Sequence, residues 1–169
     1  KSAIKKLTNS VSNVSCHYYI TYKGLIIQML PDNYTAWHAG TSSWKKHISL
    51  NQFSIGIEIS NPGHQYGYKK FNNNQIKSLI KLTKKLLKKY KINKVNILGH
   101  SDIAPLRKKD PGEKFPWKKL ASNKLGVWHN VPKNICKKFR LSRPKNLDYL
   151  NELKKFGYNM NYKNSFELK

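Results

Sequence analysis

The sequence predicts an α/β domain. Three observations carry this: strand-like apolar segments near residues 17–30, 53–60 and 94–98, one long amphipathic helix between the last two, and a length of 169 residues, which suits one core with at most a small appendage. If segments 53–60 and 94–98 are parallel neighbours in one sheet, the helix between them makes a right-handed crossover.

Each element has its own reason. "VSCHYYITYKGLIIQMLP" holds two strands that turn at Tyr22-Lys23-Gly24, where Gly24 supplies a positive φ. "AWHAGTSSWKKHISLNQ" (36–52) is polar and aromatic without a period and predicts a loop. "FSIGIEIS" (53–60) alternates, with Phe53, Ile55, Ile57 and Ile59 on one face and Ser54, Gly56 and Glu58 on the other. From Asn73 to Tyr90 a stripe of Ile76, Leu79, Ile80, Thr83, Leu86, Leu87 and Tyr90 predicts a helix, with lysines filling its other side. Asn72 is its expected N-cap, Gln75 completes a capping box, and Phe71 with Ile76 forms a hydrophobic staple. A basic amphipathic helix can lie on a membrane. The expectation here is a helix packed on the sheet with its lysines in water. "KVNILG" (94–99) predicts a short buried strand, after which Pro105, Pro111 and Pro116 limit regular structure until about Trp117. Leu147, Leu150, Leu153 and Phe156 share a helical spacing over 145–157, stopped by Gly157. A second unit is expected to begin near Ser142, dividing the chain into 1–141 and 142–169.

Charge bounds the partners. The net charge is +25, from 33 Lys and Arg against 8 Asp and Glu. Such a chain favours anionic partners: nucleic acid, anionic lipid or acidic polymers. Lys and Asn are used throughout, however, so much of the charge also reads as bias on solvated faces. The basic residues are spread along the chain and no nucleic-acid motif accompanies them, which argues against a specific nucleic-acid partner. No run approaches the roughly 18 apolar residues of a membrane span. Cys16 and Cys136 lie outside any Cys-x-x-Cys pair and can form one disulfide or both stay free. The chain has no initiator Met, so a preceding piece is expected.

The chemistry concentrates in "GHSDIAPLRKKDPG" (99–112). His100 follows an apolar run, where a scaffold fixes a side chain and still exposes it to a loop. Asp110 precedes Pro111, which biases it towards extended backbone. Imidazole and carboxylate are both zinc ligands, so His100 and Asp110 are candidates for two positions of a metal site. A histidine at a strand end also serves purely structural roles. Glu58 stands on the small-residue face of its strand, where an acid is costly unless it meets a cleft or a partner. It is a candidate general base, or else half of an ion pair with one of the many lysines. Lys108, two residues from Asp110, can direct its ammonium at a developing oxyanion, or be an ordinary surface lysine.

"VSCHYYI", "AWHAG", "SIGIEISN" and "GHSDIAPLRKKDPG" followed by "FPW" occur in the family's order in zinc-dependent N-acetylmuramoyl-L-alanine amidases of the AmpD/AmiD type, which this chain resembles over most of residues 14–117. The resemblance implies a central mixed β-sheet flanked by helices. It implies hydrolysis of the amide between the lactyl group of (anhydro-)N-acetylmuramic acid and L-alanine of the stem peptide, with Zn2+ as cofactor and peptidoglycan or muropeptides as partners. By that match His100 and Asp110 are zinc ligands, Glu58 is the catalytic glutamate and Lys108 assists at the carbonyl oxygen. Trp37, His38 and Ala39 match the loop beside the substrate groove, and His17 matches a strand histidine that is not a ligand. The family's first ligand, a histidine upstream of "VSxHY", has no counterpart here. Three explanations stand: a first strand upstream of Lys1, recruitment of His17, His38 or His47, or a non-catalytic peptidoglycan-binding module. "NLDYLNELKKFGYNM" is similar to the opening helix of the peptidoglycan-binding unit of AmiD-type members, and reads equally as a plain helix docked on the main domain. The C-terminal segment and the basic surface favour the bacterial envelope or periplasm over the cytoplasm, although similar catalytic domains serve both.

Overall fold

The computed structural model describes residues 2–141 and 149–159. Among the described residues five short strands form: β1 (Tyr18–Ile20), β2 (Ile26–Gln28), β3 (Ser43–Trp44), β4 (His47–Ile48) and β5 (Ile57–Ile59). The main sheet has the order β2-β1-β5, with β1 antiparallel to β2 and parallel to β5, so it is mixed. Its register sets Tyr18 opposite Ile57, Tyr19 opposite Glu58 and Ile20 opposite Ile59. The helices are α1 (Ser2–Leu7), α2 (Asn73–Tyr90), α3 (His100–Ile103), α4 (Trp117–Ser122), α5 (Lys133–Leu141) and α6 (Tyr149–Phe156).

α2 forms as its sequence dictates. Asn72 Oδ1 accepts from the Gln75 N–H at 2.9 Å, and Gln75 Oε1 accepts from the Asn72 N–H at 3.2 Å. The helix buries Ile76, Leu79, Leu82, Thr83 and Leu86. These meet Tyr18, Ile20, Ile57 and Ile59 in the main core, which Phe71, Ile80, Leu87, Phe115 and Leu120 complete. Leu82 widens the buried stripe beyond the positions read from the sequence. The β1–β2 turn closes at Gly24, whose φ is +85°; a Cβ there would stand 2.8 Å from the Asn74 backbone.

Three expectations are corrected. Residues 94–98 are not a strand: Lys94–Asn96 form a 3-10 turn, because Asn93 Oδ1 captures the Val95 N–H at 3.1 Å. That local bond competes with a ladder. The expected crossover between 53–60 and 94–98 is therefore absent, and the parallel pair is β1–β5. Ile97 and Leu98 are only partly buried, each packed against a different core. The loop 36–52 contains the small β3–β4 hairpin, turned at Lys45 with φ +53°. Its two-residue strands are too short to show a period. Finally, Phe53 leaves the apolar face of its segment and meets the His47 ring at a tilt, with centroids 5.0 Å apart.

The start of the helix expected at 145–157, with Leu147, lies outside the described residues, as do Ser142 and its unit boundary. α6 ends at Gly157 as expected, with φ +136°. It docks on the main domain: Trp44 meets Phe156 and Tyr158 edge-on at 6.0 and 5.2 Å, and the Lys45 N–H donates to Gly157 O at 2.6 Å. Cys16 and Cys136 are both free thiols.

One buried acid ties the core's edge together. The side chain of Asp32, 6% exposed, accepts from the Tyr18 hydroxyl at 2.5 Å, the Tyr90 hydroxyl at 2.6 Å and Lys89 Nζ at 2.9 Å. Burial alone would raise its pKa, but the bonds from Tyr18, Tyr90 and Lys89 outweigh it and hold the carboxyl at about 2, below its ordinary 3.8. A depressed pKa stabilises the fold fully above about pH 4 and loses that effect as pH falls towards 2. Asp32→Asn should destabilise the fold by about 1–3 kcal/mol at pH 7. The variant should also lose part of the parent's acid dependence below pH 4, as measured by urea unfolding at pH 7 and pH 3.

Candidate active site

β5 sets the first element of the site. Because strand side chains alternate, burying Ile57 and Ile59 against α2 turns Glu58 to the opposite face. Gly56 shares that face, and it makes room: a Cβ at Gly56 would stand 2.3 Å from Cγ of His38. The His38 ring therefore lies directly over the strand backbone, with Nε2 3.2 Å from Ser54 O.

His17 anchors β1 to this strand. Its Nδ1 accepts from the Gly56 N–H at 3.0 Å, and Nε2 donates to Tyr34 O at 2.9 Å. Both nitrogens are thus committed to backbone in a side chain that is 1% exposed. His38 is held neutral at physiological pH: burial, then the neighbouring His17 and His100, push it down to about 4. His47 sits against Phe53 on the β3–β4 hairpin. Among the described residues, no third His, Cys, Asp or Glu joins His100 and Asp110 in a cluster able to hold a metal. Recruitment of His17, His38 or His47 finds no support here.

The 99–112 segment returns on itself. α3 starts at Gly99, whose N–H donates to Asp102 Oδ2 at 2.7 Å. The Ser101 N–H donates to Asp110 O at 2.9 Å and draws the loop back, so that His100 Nδ1 stands 3.0 Å from Asp110 Oδ2. His100 Nε2 donates to Ala39 O at 3.1 Å. With Nε2–H committed, Nδ1, which hydrogen-bonds the Asp110 carboxylate, is the nitrogen that a metal set between the two would engage. Two ligands of one tetrahedral zinc stand about 3.4 Å apart, so this pair fits two positions of such a site. His100 is mostly enclosed and Asp110 faces the cleft mouth. The Asp110–Pro111 peptide is cis, and Pro111 O accepts from the Tyr68 hydroxyl at 2.6 Å.

The electrostatics separate the two carboxylates. Glu58 keeps contact with solvent through the cleft, yet protein crowds it on its flanks. Burial first, then the charge of Asp110, raise its pKa, while His100 and Lys108 pull the other way. Asp110 is also penalised by burial, but the His100 hydrogen bond and the charges of His100 and Lys108 bring it below its ordinary value. Glu58, His100, Lys108 and Asp110 thus act on one another within one cleft.

Of the loop residues, Trp37 is exposed, His38 is half-buried and Ala39 is buried. Ala39 offers its backbone rather than its methyl. Two residues that hold this loop were missed in the sequence. Asn51, buried, accepts from the His38 and Ala39 N–H groups at 3.1 and 2.7 Å. Arg107 Nη2 donates to Ala39 O at 2.7 Å and to Thr41 O at 2.9 Å, clasping the turn at Gly40, where φ is +59°. Arg107 was visible inside the motif as an uncommitted cation; Asn51 gave no signal.

A sequence profile of N-acetylmuramoyl-L-alanine amidases matches residues 1–113. The chain belongs to this amidase family. It is 40% identical over 121 residues to the N-acetylmuramoyl-L-alanine amidase AmiD of Escherichia coli K12, covering 64% of this chain and 43% of that protein. It is 42% identical over 98 residues to the 1,6-anhydro-N-acetylmuramyl-L-alanine amidase AmpD of Haemophilus influenzae, covering 57% and 51%. The chain thus spans about half the length of the curated relatives it matches. The E. coli AmiD structure, solved with anhydro-N-acetylmuramic acid-L-Ala-D-γ-Glu-L-Lys, superposes with a TM-score of 0.81 at 33% identity over 97% of this chain and 69% of that one. AmpDh3 of Pseudomonas aeruginosa, solved with anhydromuramic pentapeptide, gives 0.83 at 31% identity over 96% and 71%. These likenesses bear out the mixed sheet with flanking helices.

The contact of Gly56 with His38 is a test of how the amidase cleft is built. Gly56→Ala should destabilise the fold by about 2 kcal/mol or more through overpacking, seen in thermal unfolding. Adding His38→Ala should recover part of that loss, giving a non-additive double-mutant cycle.

Proposed function

We propose that this chain carries the catalytic cleft of a zinc-dependent N-acetylmuramoyl-L-alanine amidase. It would hydrolyse the amide between the lactyl group of (anhydro-)N-acetylmuramic acid and the L-alanine of peptidoglycan or its muropeptides. The observation that carries this reading is the pairing of His100 Nδ1 with Asp110 Oδ2 at 3.0 Å, in one cleft with Glu58, in a chain that matches the amidase profile. Burial and then the Asp110 charge raise Glu58, while Asp110, despite its own burial, is lowered by the His100 bond, as suits a proton carrier beside a ligand that stays anionic.

His100 Nδ1 and the Asp110 carboxylate would hold the metal. Zinc bound there supplies Lewis acidity at the scissile carbonyl and makes water acidic enough to ionise near neutral pH. Among the described residues His100 and Asp110 would supply the ligands, and a third protein position of such a site is not filled. Glu58 takes the proton from the attacking water and returns it to the departing alanine nitrogen, as a raised carboxyl is suited to do. Lys108 turns its ammonium towards the oxygen on which negative charge develops. Trp37 offers an exposed indole face beside the cleft, with His38 and Ala39 shaping the groove wall. The described residues hold no helix long and apolar enough to cross a membrane. The basic surface supports action at the bacterial envelope.

With zinc supplied and muropeptide as substrate, Glu58→Ala should keep its metal and lose turnover by about 100- to 10,000-fold. Asp110→Ala should lose metal, measured by metal analysis after dialysis. Turnover at the parent rate in Glu58→Ala would refute the assigned role. Sacculus binding without amide cleavage in the metal-loaded parent would mark a peptidoglycan-binding module instead.

A further inference from the structure

α2 presents two different surfaces. Its apolar face is buried in the core, while Lys77, Lys81, Lys84, Lys85 and Lys88 are exposed on the other side. Positions 77, 81, 84 and 88 follow one stripe of the helix. No acid occurs anywhere along the helix. α4 extends the same surface: Lys84 Nζ reaches Asn123 Oδ1 at 3.4 Å, and Lys119 Nζ reaches Asn73 Oδ1 at 3.1 Å. Lys118, Lys119 and Lys124 are exposed there.

The acids of the described residues are engaged elsewhere. Asp32 binds Tyr18, Tyr90 and Lys89. Glu58 and Asp110 stand in the cleft. Asp102 bonds the Gly99 N–H and the Tyr158 hydroxyl, Glu113 pairs with His64, and Glu152 pairs with Lys155. Among the described residues, the only ion pair on α2 is that of Lys89 in its last turn. No acid of the described residues offsets this lysine face, so mobile counter-ions gather over it. A planar polyanion releases those counter-ions and binds a lysine array additively.

Position chooses the partner. Ile57 and Ile59 point at α2, so Glu58 and the cleft lie on the far side of the sheet. A polymer that must enter the cleft gains little from a lysine face behind it. A flat anionic surface held at the back leaves the cleft open. We propose that the α2–α4 lysine face docks on the phosphate headgroups of an anionic lipid bilayer, with the cleft turned away from the surface.

Cosedimentation with vesicles tests this. The parent should bind phosphatidylcholine vesicles containing about 30% phosphatidylglycerol, and not pure phosphatidylcholine. Binding should fall at least about tenfold between 0.05 and 0.3 M NaCl as screening shortens. Lys77→Gln/Lys81→Gln/Lys84→Gln/Lys88→Gln should lose about a hundredfold or more in partitioning. It should keep the parent's unfolding temperature and its turnover of soluble muropeptide. Lys5→Gln/Lys6→Gln/Lys45→Gln/Lys46→Gln, with the same net charge, should lose far less. Equal losses in the two variants, retained binding in the first, binding to neutral vesicles, or tighter binding to soluble polyphosphate at equal phosphate would each overturn the proposal.

Discussion

Packing of the partly buried Ile57 and Ile59 against the core that α2 covers is the constraint on which the rest depends. A strand has a period of two, so fixing those side chains fixes Glu58 on the other face. Pairing with β1 then locks the register, with Glu58 beside Tyr19. A slip of one residue would send Glu58 into a core of leucine and isoleucine and expose both isoleucines. Burying an unpaired carboxylate there costs at least several kcal/mol, more than any hydrogen bond in the strand returns. The apolar core and the acid of the cleft are therefore set by one decision about register.

The opposite wall of the cleft is built differently. There the fixing comes from polar bonds to backbone, because loops expose groups that a core cannot bury. Ala39 O is the meeting point: it accepts from His100 and from Arg107, while the Ala39 N–H is held by Asn51. The Ser101–Asp110 bond and the Tyr68–Pro111 bond close the return of the second loop. Each bond contributes about 1 kcal/mol alone. Their effect on geometry is larger, since together they leave the His100 ring one orientation and bring the Asp110 carboxylate to it.

Legibility in the sequence follows this division. The alternation of 53–60, the capping box at Asn72 and the apolar stripe of α2 were readable because one face of each element is buried. His100, Asp110, Glu58 and Lys108 stood out because their types and order match a family motif; the structure pairs His100 with Asp110 and sets Glu58 and Lys108 within electrostatic reach of both. Residues 94–98 misled because Asn93 satisfies the Val95 N–H locally, which no hydrophobic period records. Asn51 was invisible for a related reason. A buried amide that accepts two backbone N–H groups looks, in one sequence, like any polar loop residue. Leu82 was passed over because the stripe read from the sequence was narrower than the surface the sheet covers.

The shortage of acids sharpens the electrostatics of the cleft. With 33 basic residues against 8 acids, a carboxylate on this chain meets positive potential nearly everywhere. Such a field lowers carboxyl pKa values in general. Asp32 and Asp110 follow that trend, each with donors on its oxygens. Glu58 runs against it. What sets Glu58 apart is its place: it stands on a strand, crowded by the sheet and the loop over it, with Asp110 as a like-charged neighbour. Desolvation and the Asp110 charge outweigh His100 and Lys108, which pull the other way at the same short range, whereas the surface lysines act through water and are screened within about 10 Å. The cleft thus raises one acid in spite of the cations beside it.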